Sequence, residues 1–557
     1  MQFRNDSNKT ALLAVAAWGM CLPIILFDAI PGADTSVYYS AMIREIAAGR
    51  WEHGFYPMIP PLFPVFGALF AWIGFLPFTA AKIASSLCFA AGVFPLYHLC
   101  RLVWNRKIAI WSCVLYILCP RLVRYGGAGL LDPGKTTFLL VTVYGLLRFS
   151  RYRDWRSTLY VFVGSAGMSL VRGEGITVAA LLITGFIIVE LIGNRKRTLC
   201  SRIPVKSLTG ILIFLLLLSP WLIYMWHKTG YPLTDSRQAA VAESVLGRLG
   251  YVPHDRDRMP EDALHEFLEV YLESNPGVSE KKTVDYTFWT NIVVEIVKGL
   301  VPVYLIFALP VIISRIRSRR WCLQETVLLM LIVGHTALLV CLLGGNWVQK
   351  RYVIHAMPFL LGWTVYGMRH VLSNVRRFPI HRRSIAIRTV VCVFTLIMVW
   401  DATLPARPSL RQSKQAEKAS ILDTAKWLRQ EGAAMVPANQ RCLSSTSISY
   451  HNGRQPVVVT SNNKAVALLG DCDLAGVAKY GYRTFDLRML RALCDHKKVN
   501  FLVIDRNLAS VFPDLADPND LPEGFHVVYR RWEGERRGNV VIGVQRNLTY
   551  TDSDWDQ

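Results

Sequence analysis

Long apolar runs without charge constrain this chain more than any other feature. The segment Ser207 to Trp226 contains no charged side chain, and within it Ile211 to Leu218 is unbroken apolar sequence. A helix needs roughly 20 apolar residues to cross a hydrocarbon core of about 30 Å. Of the 557 residues, 52% are hydrophobic and only 18% are charged, whereas a soluble chain carries more charge. The sequence therefore predicts a polytopic α-helical membrane protein.

Apolar runs of this length, or close to it, recur along residues 1–401 and predict about eleven transmembrane helices. They are Ala11–Phe27, Thr79–Cys100, Ile108–Cys119, Leu130–Leu147, Ser157–Leu170, Ile176–Ile192, Ser207–Trp226, Ile292–Ile313, Glu325–Leu343, Tyr352–Met368 and Arg388–Trp400. The first run is followed by Asp28 and Pro31 rather than by a small-residue cleavage site, so we interpret it as an uncleaved anchor.

The net charge of +22 does not indicate nucleic-acid binding, because the basic residues form short strips between the apolar runs. Cytoplasmic loops of membrane proteins carry such an excess of arginine and lysine. All strips face the cytoplasm if the N-terminus is cytoplasmic and Pro61–Pro77 lies along the outer surface instead of crossing. Pro61 and Pro64 disfavour a spanning helix at the start of that segment. The outer loops are then 28–80 and 227–291, in what we interpret as a bacterial plasma membrane.

Residues 402–557 predict a separate soluble domain on the outer side. Short β-branched runs at Pro456–Thr460, Phe501–Ile504 and Val540–Val544 predict buried strands. Ser420–Gly432 and Leu487–Cys494 predict helices. Because helices and strands alternate, we expect a C-terminal soluble α/β domain after the transmembrane domain of residues 1–401.

Two acidic residues lie where the chain enters a predicted helix on the outer side. Asp34 precedes an amphipathic segment, Thr35 to Ala48, and Asp132 precedes Pro133 at the start of a span. The simpler interpretation of both is a helix N-cap, which favours aspartate and is often followed by proline. A catalytic or site-supporting role is the alternative.

Two basic positions lie at other outer helix junctions. Arg172 and Glu174 stand between two predicted spans, and Arg351 precedes Tyr352. Ionisable residues at such a depth are candidates for a functional site, and a guanidinium group can bind phosphate through two parallel hydrogen bonds. Mutual pairing of Arg172 with Glu174, or an interfacial anchor at Arg351, explains them without a ligand.

Taken in order, these residues resemble the GT-C superfamily of membrane glycosyltransferases. The resemblance is to the branch of the protein O-mannosyltransferases and the bacterial aminoarabinose-lipid A transferases, and runs from about Ala11 to Leu361. It rests on Asp34, Tyr38, Arg44-Glu45, Gly49-Arg50-Trp51, Pro60-Pro61-Leu62, Arg101-Leu102-Val103-Trp104, Leu131-Asp132-Pro133, Arg172-Gly173 and Arg351-Tyr352.

The resemblance implies a cell-envelope glycosyltransferase that uses a polyprenyl-phosphate-linked sugar donor and a lipid, glycan or protein acceptor. It implies that Asp34 is the catalytic carboxylate. Tyr38, Arg172, Arg351 and Tyr352 are then the substrate-binding residues around the carrier phosphate.

A divalent metal ion is the one cofactor that the resemblance raises, with Asp132 supporting either the site or that ion. The sequence departs from the family at two places. Thr35 follows Asp34 where many relatives have a second acid, and Ile59 stands where a basic residue is common. The metal and the details of phosphate binding are therefore left open.

Two other functions fit parts of the sequence. A transporter or flippase of lipid-linked sugars would place polar groups near the bilayer midplane and show repeated halves. The notable acids here lie instead at the outer boundary, which favours an enzyme over a transporter. With the role that the resemblance implies for Asp34, our hypothesis is that it acts as general base in a one-step displacement that inverts the sugar. A non-catalytic anchor for the C-terminal domain is the third interpretation.

Overall fold

The computed structural model describes most of the predicted transmembrane domain and short parts of the tail. The described residues are 2–27, 35–56, 59–194, 204–229, 294, 296–319, 321–343, 350–375, 423, 424, 426–428, 430, 457–460, 473–477, 501–504, 521, 525–530 and 540–544. By their contacts they form two units, one of residues 1–28, 42–254 and 281–404, the other of residues 29–41, 255–280 and 405–557. Asp34, the predicted span Arg388–Trp400 and the predicted helix Leu487–Cys494 lie outside the described residues.

The predicted transmembrane domain is helical in its described part. Its α-helices are α1 (Gln2–Phe27), α2 (Ser40–Ala47), α3 (Trp51–Gly54), α4 (Leu62–Trp72), α5 (Pro77–Ala91), α6 (Val93–Val103), α7 (Arg106–Leu118), α8 (Pro120–Gly127), α9 (Asp132–Tyr152), α10 (Trp155–Val171), α11 (Gly175–Asn194), α12 (Val205–Thr229), α13 (Pro302–Arg317), α14 (Leu323–Leu343), α15 (Lys350–Val353) and α16 (Leu361–Val375). A π-helical turn, Thr35–Tyr39, precedes α2, and a 3-10 helix, Ile354–Leu360, joins α15 to α16.

Four of the described helices are long and apolar enough to cross a membrane. They comprise Asp6–Phe27, Pro77–Val103, Gly175–Ile192 and Val205–Lys228, and the bent pair α7 and α8 makes five if it is one span. The chain is thus a mostly helical protein with several apolar helices, while the number of about eleven spans stays a prediction.

Two predicted connections can be compared directly with the structure. The tight turn predicted at 171–175 is confirmed, since α10 ends at Val171 and α11 begins at Gly175. The outer loop predicted at 121–129 is wrong in form, because residues 120–127 make helix α8, bent by 61° from α7. Pro120 at the first turn explains the break, because proline cannot continue a preceding helix but suits the start of a new one.

The apolar segment predicted to lie on the outer surface forms the short helix α4. Its 11 residues are too few to span a bilayer, because the rise of an α-helix is about 1.5 Å per residue. The segment before it is fixed by polar contacts: the Trp72 indole donates to the Ala47 carbonyl over 2.8 Å, and the Tyr224 hydroxyl donates to the Phe55 carbonyl over 2.9 Å. Residues 47–55 are therefore held between α4 and α12.

Buried polar contacts join helix ends that the topology predicts to be cytoplasmic. Glu325 is fully buried at the start of α14, and its Oε2 pairs with Arg315 at 2.8 Å. Its Oε1 accepts hydrogen bonds from the indoles of Trp104 and Trp363 over 3.3 and 3.1 Å. A buried carboxylate is tolerated when it is paired and hydrogen-bonded in this way, so Glu325 ties α6, α13, α14 and α16 together.

Helices α9 and α10 approach closely through glycine. A Cβ added at Gly145 would lie 2.8 Å from the Val161 nitrogen and 3.0 Å from the Ser157 carbonyl oxygen. Gly164, on the facing helix, is equally close to the backbone of α9, 3.0 Å from the Thr142 nitrogen. Small residues allow such backbone contact between membrane helices. The pair α9 and α10 matters for function because α9 carries Asp132 and Lys135, and α10 leads into the turn that carries Arg172 and Glu174.

We expect Gly145→Ala to destabilise the protein, because the added methyl group meets backbone atoms that cannot move aside. The expected cost is about 1–3 kcal/mol, as for overpacking of a close-packed interior, and is measured as a lower thermal unfolding midpoint in detergent. Gly185→Ala is the matched control, since the nearest atom to its new Cβ is Leu146 Cδ2 at 3.9 Å. Equal midpoints for the two variants would contradict the packing argument.

The tail contains a five-stranded sheet in the order β2-β1-β3-β5-β4. Its strands are β1 (Val457–Thr460), β2 (Asp473–Val477), β3 (Phe501–Ile504), β4 (Phe525–Arg530) and β5 (Val540–Val544). β1 is parallel to β2 and β3, whereas β5 is antiparallel to β3 and β4. The three predicted strands are confirmed, and the α/β character of the domain stays a prediction.

Candidate functional site

Asp132, at the first turn of α9, is the centre of a buried charged cluster. Only 1% of its surface is exposed. Its Oδ1 lies 2.5 Å from Nη1 of Arg172, and its Oδ2 lies 2.8 Å from Nε of Arg351. The N-cap interpretation of Asp132 is wrong, because the cap residue is Leu131 and no side chain caps the helix. The Asp132 carboxylate forms ion pairs with Arg172 and Arg351 instead.

Arg172 lies in the turn between α10 and α11, where it bridges two carboxylates. Its Nε is 2.6 Å from Oε2 of Glu174, in addition to the contact with Asp132. Glu174 also pairs at 3.3 Å with Nζ of Lys135, a lysine with no exposed side-chain surface. Burial would raise the pKa of Glu174, but Arg172 and Lys135 outweigh it and hold that pKa at about 2. Glu174 is therefore ionised at neutral pH, and its predicted pairing with Arg172 is confirmed.

Among the described residues, this cluster contains three cations and two anions. Arg172, Arg351 and Lys135 are cations, while Asp132 and Glu174 are the anions paired with them. Arg172 and Arg351 make further contacts in addition to these pairs. Guanidinium groups bind phosphate through parallel hydrogen bonds, so two arginines that meet at one buried carboxylate suit an anionic ligand group such as phosphate.

Two further side chains contact Asp132 and were not found by sequence reasoning. His355, in the 3-10 helix, places its Nε2 3.4 Å from Oδ1 of Asp132. Thr136 places its hydroxyl 2.7 Å from Nδ1 of His355 and 3.0 Å from the Asp132 carbonyl oxygen. For Thr136 and Lys135, the spacing could have indicated the contact, because they follow Asp132 by four and three positions and such positions lie on one face of a helix.

The structure brings together three of the residues predicted for the site: Asp132, Arg172 and Arg351. Tyr352 follows Arg351 in α15, and Tyr38 is a half-buried residue of the turn Thr35–Tyr39 in the second unit. The roles of Asp34, Tyr38 and Tyr352 stay predictions.

The loop predicted to be the first outer loop has an ion-pair system of its own in the same unit as the cluster. Glu45, on α2, is buried, and its Oε2 lies 2.6 Å from Nε of Arg50. Glu45 raises the pKa of Arg50 by accepting this hydrogen bond. Gly49 has a φ of +77°, a left-handed conformation that glycine adopts without strain. This turn lets Arg50 fold back onto Glu45 and fixes the end of α2.

The described residues around Asp132 do not form a ligand set for a metal ion. Each of its carboxylate oxygens contacts a guanidinium group. Among the described residues, no group of three or more histidine, cysteine, aspartate and glutamate side chains is arranged to hold a metal ion. The metal role predicted for Asp132 therefore enters no step below.

Comparison with known proteins gives one family match and several structural matches. Residues 59–224 match the family described as dolichyl-phosphate-mannose-protein mannosyltransferase. No curated protein sequence matches the chain. The match covers the helices that supply Asp132, Lys135, Arg172 and Glu174, but not Arg351.

Two solved structures of ArnT from Cupriavidus metallidurans are similar over almost the whole of both chains. The apo structure shares 13% sequence identity, with 97% of this chain and 98% of that chain covered and a TM-score of 0.52. The structure bound to undecaprenyl phosphate shares 12% identity, with 96% and 97% covered and a TM-score of 0.51.

The oligosaccharyltransferase of Archaeoglobus fulgidus, tethered with an acceptor peptide, is similar at 11% identity. The match covers 97% of this chain and 75% of that chain, with a TM-score of 0.51. At such low identity these likenesses establish the fold. Together with the family match they confirm the resemblance found in the sequence.

Proposed function

We propose that this chain, a membrane glycosyltransferase of the GT-C type, moves a sugar from a polyprenyl-phosphate donor to an acceptor hydroxyl or amine. The observation that supports this substrate class is the pair of arginines, Arg172 and Arg351, held on one buried carboxylate, Asp132. An ArnT structure of the same fold is bound to undecaprenyl phosphate, a ligand of the proposed class.

The donor phosphate is the proposed ligand of Arg172 and Arg351, with Tyr38 and Tyr352 as further contacts. A polyprenyl-phosphate sugar is a phosphodiester with one negative charge. When the bond between the sugar C1 and the phosphate oxygen breaks, the leaving lipid phosphate gains a second negative charge. Guanidinium groups already in place stabilise such developing charge without reorganising at the moment of reaction.

Asp34 is the proposed general base. Its carboxylate takes the proton of the acceptor hydroxyl or amine while the acceptor oxygen or nitrogen forms a bond to C1 of the sugar. Attack from the face opposite the leaving phosphate inverts the anomeric centre, as in one-step glycoside hydrolysis. Asp132 takes no proton in this scheme, because its role is to hold the two arginines.

The proposed orientation follows from the basic strips. It places the N-terminus in the cytoplasm and the site at the outer boundary of the plasma membrane. The donor lipid stays in the bilayer while its sugar reaches the site at the surface. The domain of residues 402–557 and the loop 227–291 are then outside, where they can contact a lipid, glycan or protein acceptor.

Purified protein incubated with a panel of polyprenyl-phosphate sugars tests the proposal. Release of free polyprenyl phosphate together with a glycosylated acceptor is the expected result. A parallel assay in vesicles follows the movement of intact lipid-linked sugar between leaflets. Movement of the lipid without release of the carrier would indicate a flippase instead of an enzyme. If the protein shows neither activity but residues 402–557 bind a ligand, residues 1–401 would be a membrane anchor.

A further inference from the structure

A second layer of contacts lies behind the Asp132 carboxylate. His355 is fully buried, with its Nε2 3.4 Å from Oδ1 of Asp132 and its Nδ1 2.7 Å from the Thr136 hydroxyl. The ring of His335, on α14, packs edge-on against the His355 ring at a centroid distance of 6.1 Å. His355 is thus enclosed between α9 and α14, and its Nε2 lies near the carboxylate that both arginines share without a hydrogen bond of ordinary geometry to it.

The contacts of His355 depend on which of its ring nitrogens carries a hydrogen. Asp132 is paired with two arginines, and an ionised carboxylate can only accept hydrogen bonds. An attractive contact with Asp132 therefore requires a hydrogen on Nε2 of His355. In a neutral imidazole Nδ1 is then an acceptor, so in this tautomer the single hydroxyl hydrogen of Thr136 is directed to Nδ1 rather than to the Asp132 carbonyl oxygen 3.0 Å away. Because a hydroxyl can donate as well as accept, the Thr136 contact is compatible with the tautomer that places a hydrogen on Nε2.

We propose that His355 is a positioning residue of the anion site. With Thr136, it keeps the Asp132 carboxylate in the orientation in which one oxygen holds Arg172 and the other holds Arg351. The inference rests on the proposed function, because a carrier phosphate is the ligand assigned to those arginines. Without the histidine contact the carboxylate can rotate, and a shift of about 1 Å in positioning groups is enough to weaken productive binding strongly.

Four variants of the full-length protein separate positioning from mere packing. The side-chain nitrogen of His355→Gln reaches the place of Nε2, so it retains the contact with Asp132. The amide nitrogen of His355→Asn reaches only the place of Nδ1, so it retains the side facing Thr136. Thr136→Val removes the hydroxyl while keeping the shape, and Thr136→Ser keeps the hydroxyl.

The measurement is binding of undecaprenyl phosphate to each purified variant in detergent, with the thermal unfolding midpoint recorded for each. We expect His355→Asn and Thr136→Val to raise the Kd about tenfold, the equivalent of one hydrogen bond to a charged group. His355→Gln and Thr136→Ser should stay within about threefold of the wild type. Similar Kd values for His355→Asn and His355→Gln, or a loss of affinity that follows the unfolding midpoint alone, would overturn the inference.

Sugar transfer, measured on the same preparations, distinguishes this inference from the proposed function. Under the inference, the donor KM rises in His355→Asn while the acceptor KM is unchanged. If the wild type binds the lipid but transfers no sugar, the proposed function fails and the binding series still decides the role of His355. If the wild type does not bind the lipid, the anion site is wrong and the inference falls with it.

Discussion

Asp34→Asn is expected to abolish sugar transfer while leaving the protein inserted and folded. An amide has almost the same shape as a carboxylate, but it cannot take the proton of the acceptor. Loss of a general base lowers the rate by about 10²- to 10⁴-fold. The measurement is kcat at saturating donor and acceptor, with the unfolding midpoint in detergent as the check on folding.

Glu52→Gln is the matched control for Asp34→Asn. Glu52 lies in the same outer loop, on α3, and is exposed, so the substitution makes the same chemical change away from any buried contact. It should leave kcat unchanged. A variant at position 34 that retains kcat and only raises the acceptor KM would assign Asp34 to binding, and another group would then be the base.

The helices were the most predictable part of the fold because a segment in contact with lipid must satisfy its own backbone hydrogen bonds and be apolar along its length. The run Ser157–Leu170 lies within α10, and Ile176–Ile192 lies within α11. The segment Pro61–Pro77 was correctly expected to be short, since its helix α4 begins at Leu62 and ends at Trp72. Its position along the outer surface stays a prediction.

The pairing within the charged cluster was not predictable from the sequence. Arg351 is 219 positions from Asp132, and nothing in a single sequence fixes the register of helices so far apart. Local rules even favoured the wrong role, because Asp132 followed by Pro133 is typical of an N-cap. The tertiary contact with two arginines outweighs the local preference, since a buried ion pair with charge-assisted hydrogen bonds is stronger than a cap.

In the tail, strand prediction depended on composition. β1, β3 and β5 are rich in β-branched residues and were predicted as strands. β2 was not predicted, because it contains Asp473 and Gly476 and both residue types are uncommon in strands. β4 has the sequence Phe-His-Val-Val-Tyr-Arg, which carries a strand signal in its aromatic and β-branched residues.

Arg172→Ala is expected to produce the second large loss of activity, and this loss should affect the use of the donor rather than of the acceptor. Without Arg172, the two remaining cations of the cluster, Arg351 and Lys135, face the carboxylates of Asp132 and Glu174. The site loses one positive charge, and the donor phosphate loses the group proposed to stabilise its developing charge. We expect kcat/KM for the donor to fall by about 10²- to 10³-fold, as for removal of one oxyanion-stabilising group, with the acceptor KM unchanged.

Because Arg172 is buried and paired, the variant will also lose stability, by about 3–5 kcal/mol if the pair is fully broken. Arg148→Ala is the matched control for that effect. Arg148 pairs with Asp154 at 2.7 Å at a helix end predicted to be cytoplasmic, so its loss should lower the unfolding midpoint without changing the donor KM. Arg172→Lys keeps the charge but not the two parallel hydrogen bonds, and should fall between wild type and alanine. A donor dependence that is the same in Arg172→Ala and Arg148→Ala would remove Arg172 from the phosphate site, because both variants would then report only a broken ion pair.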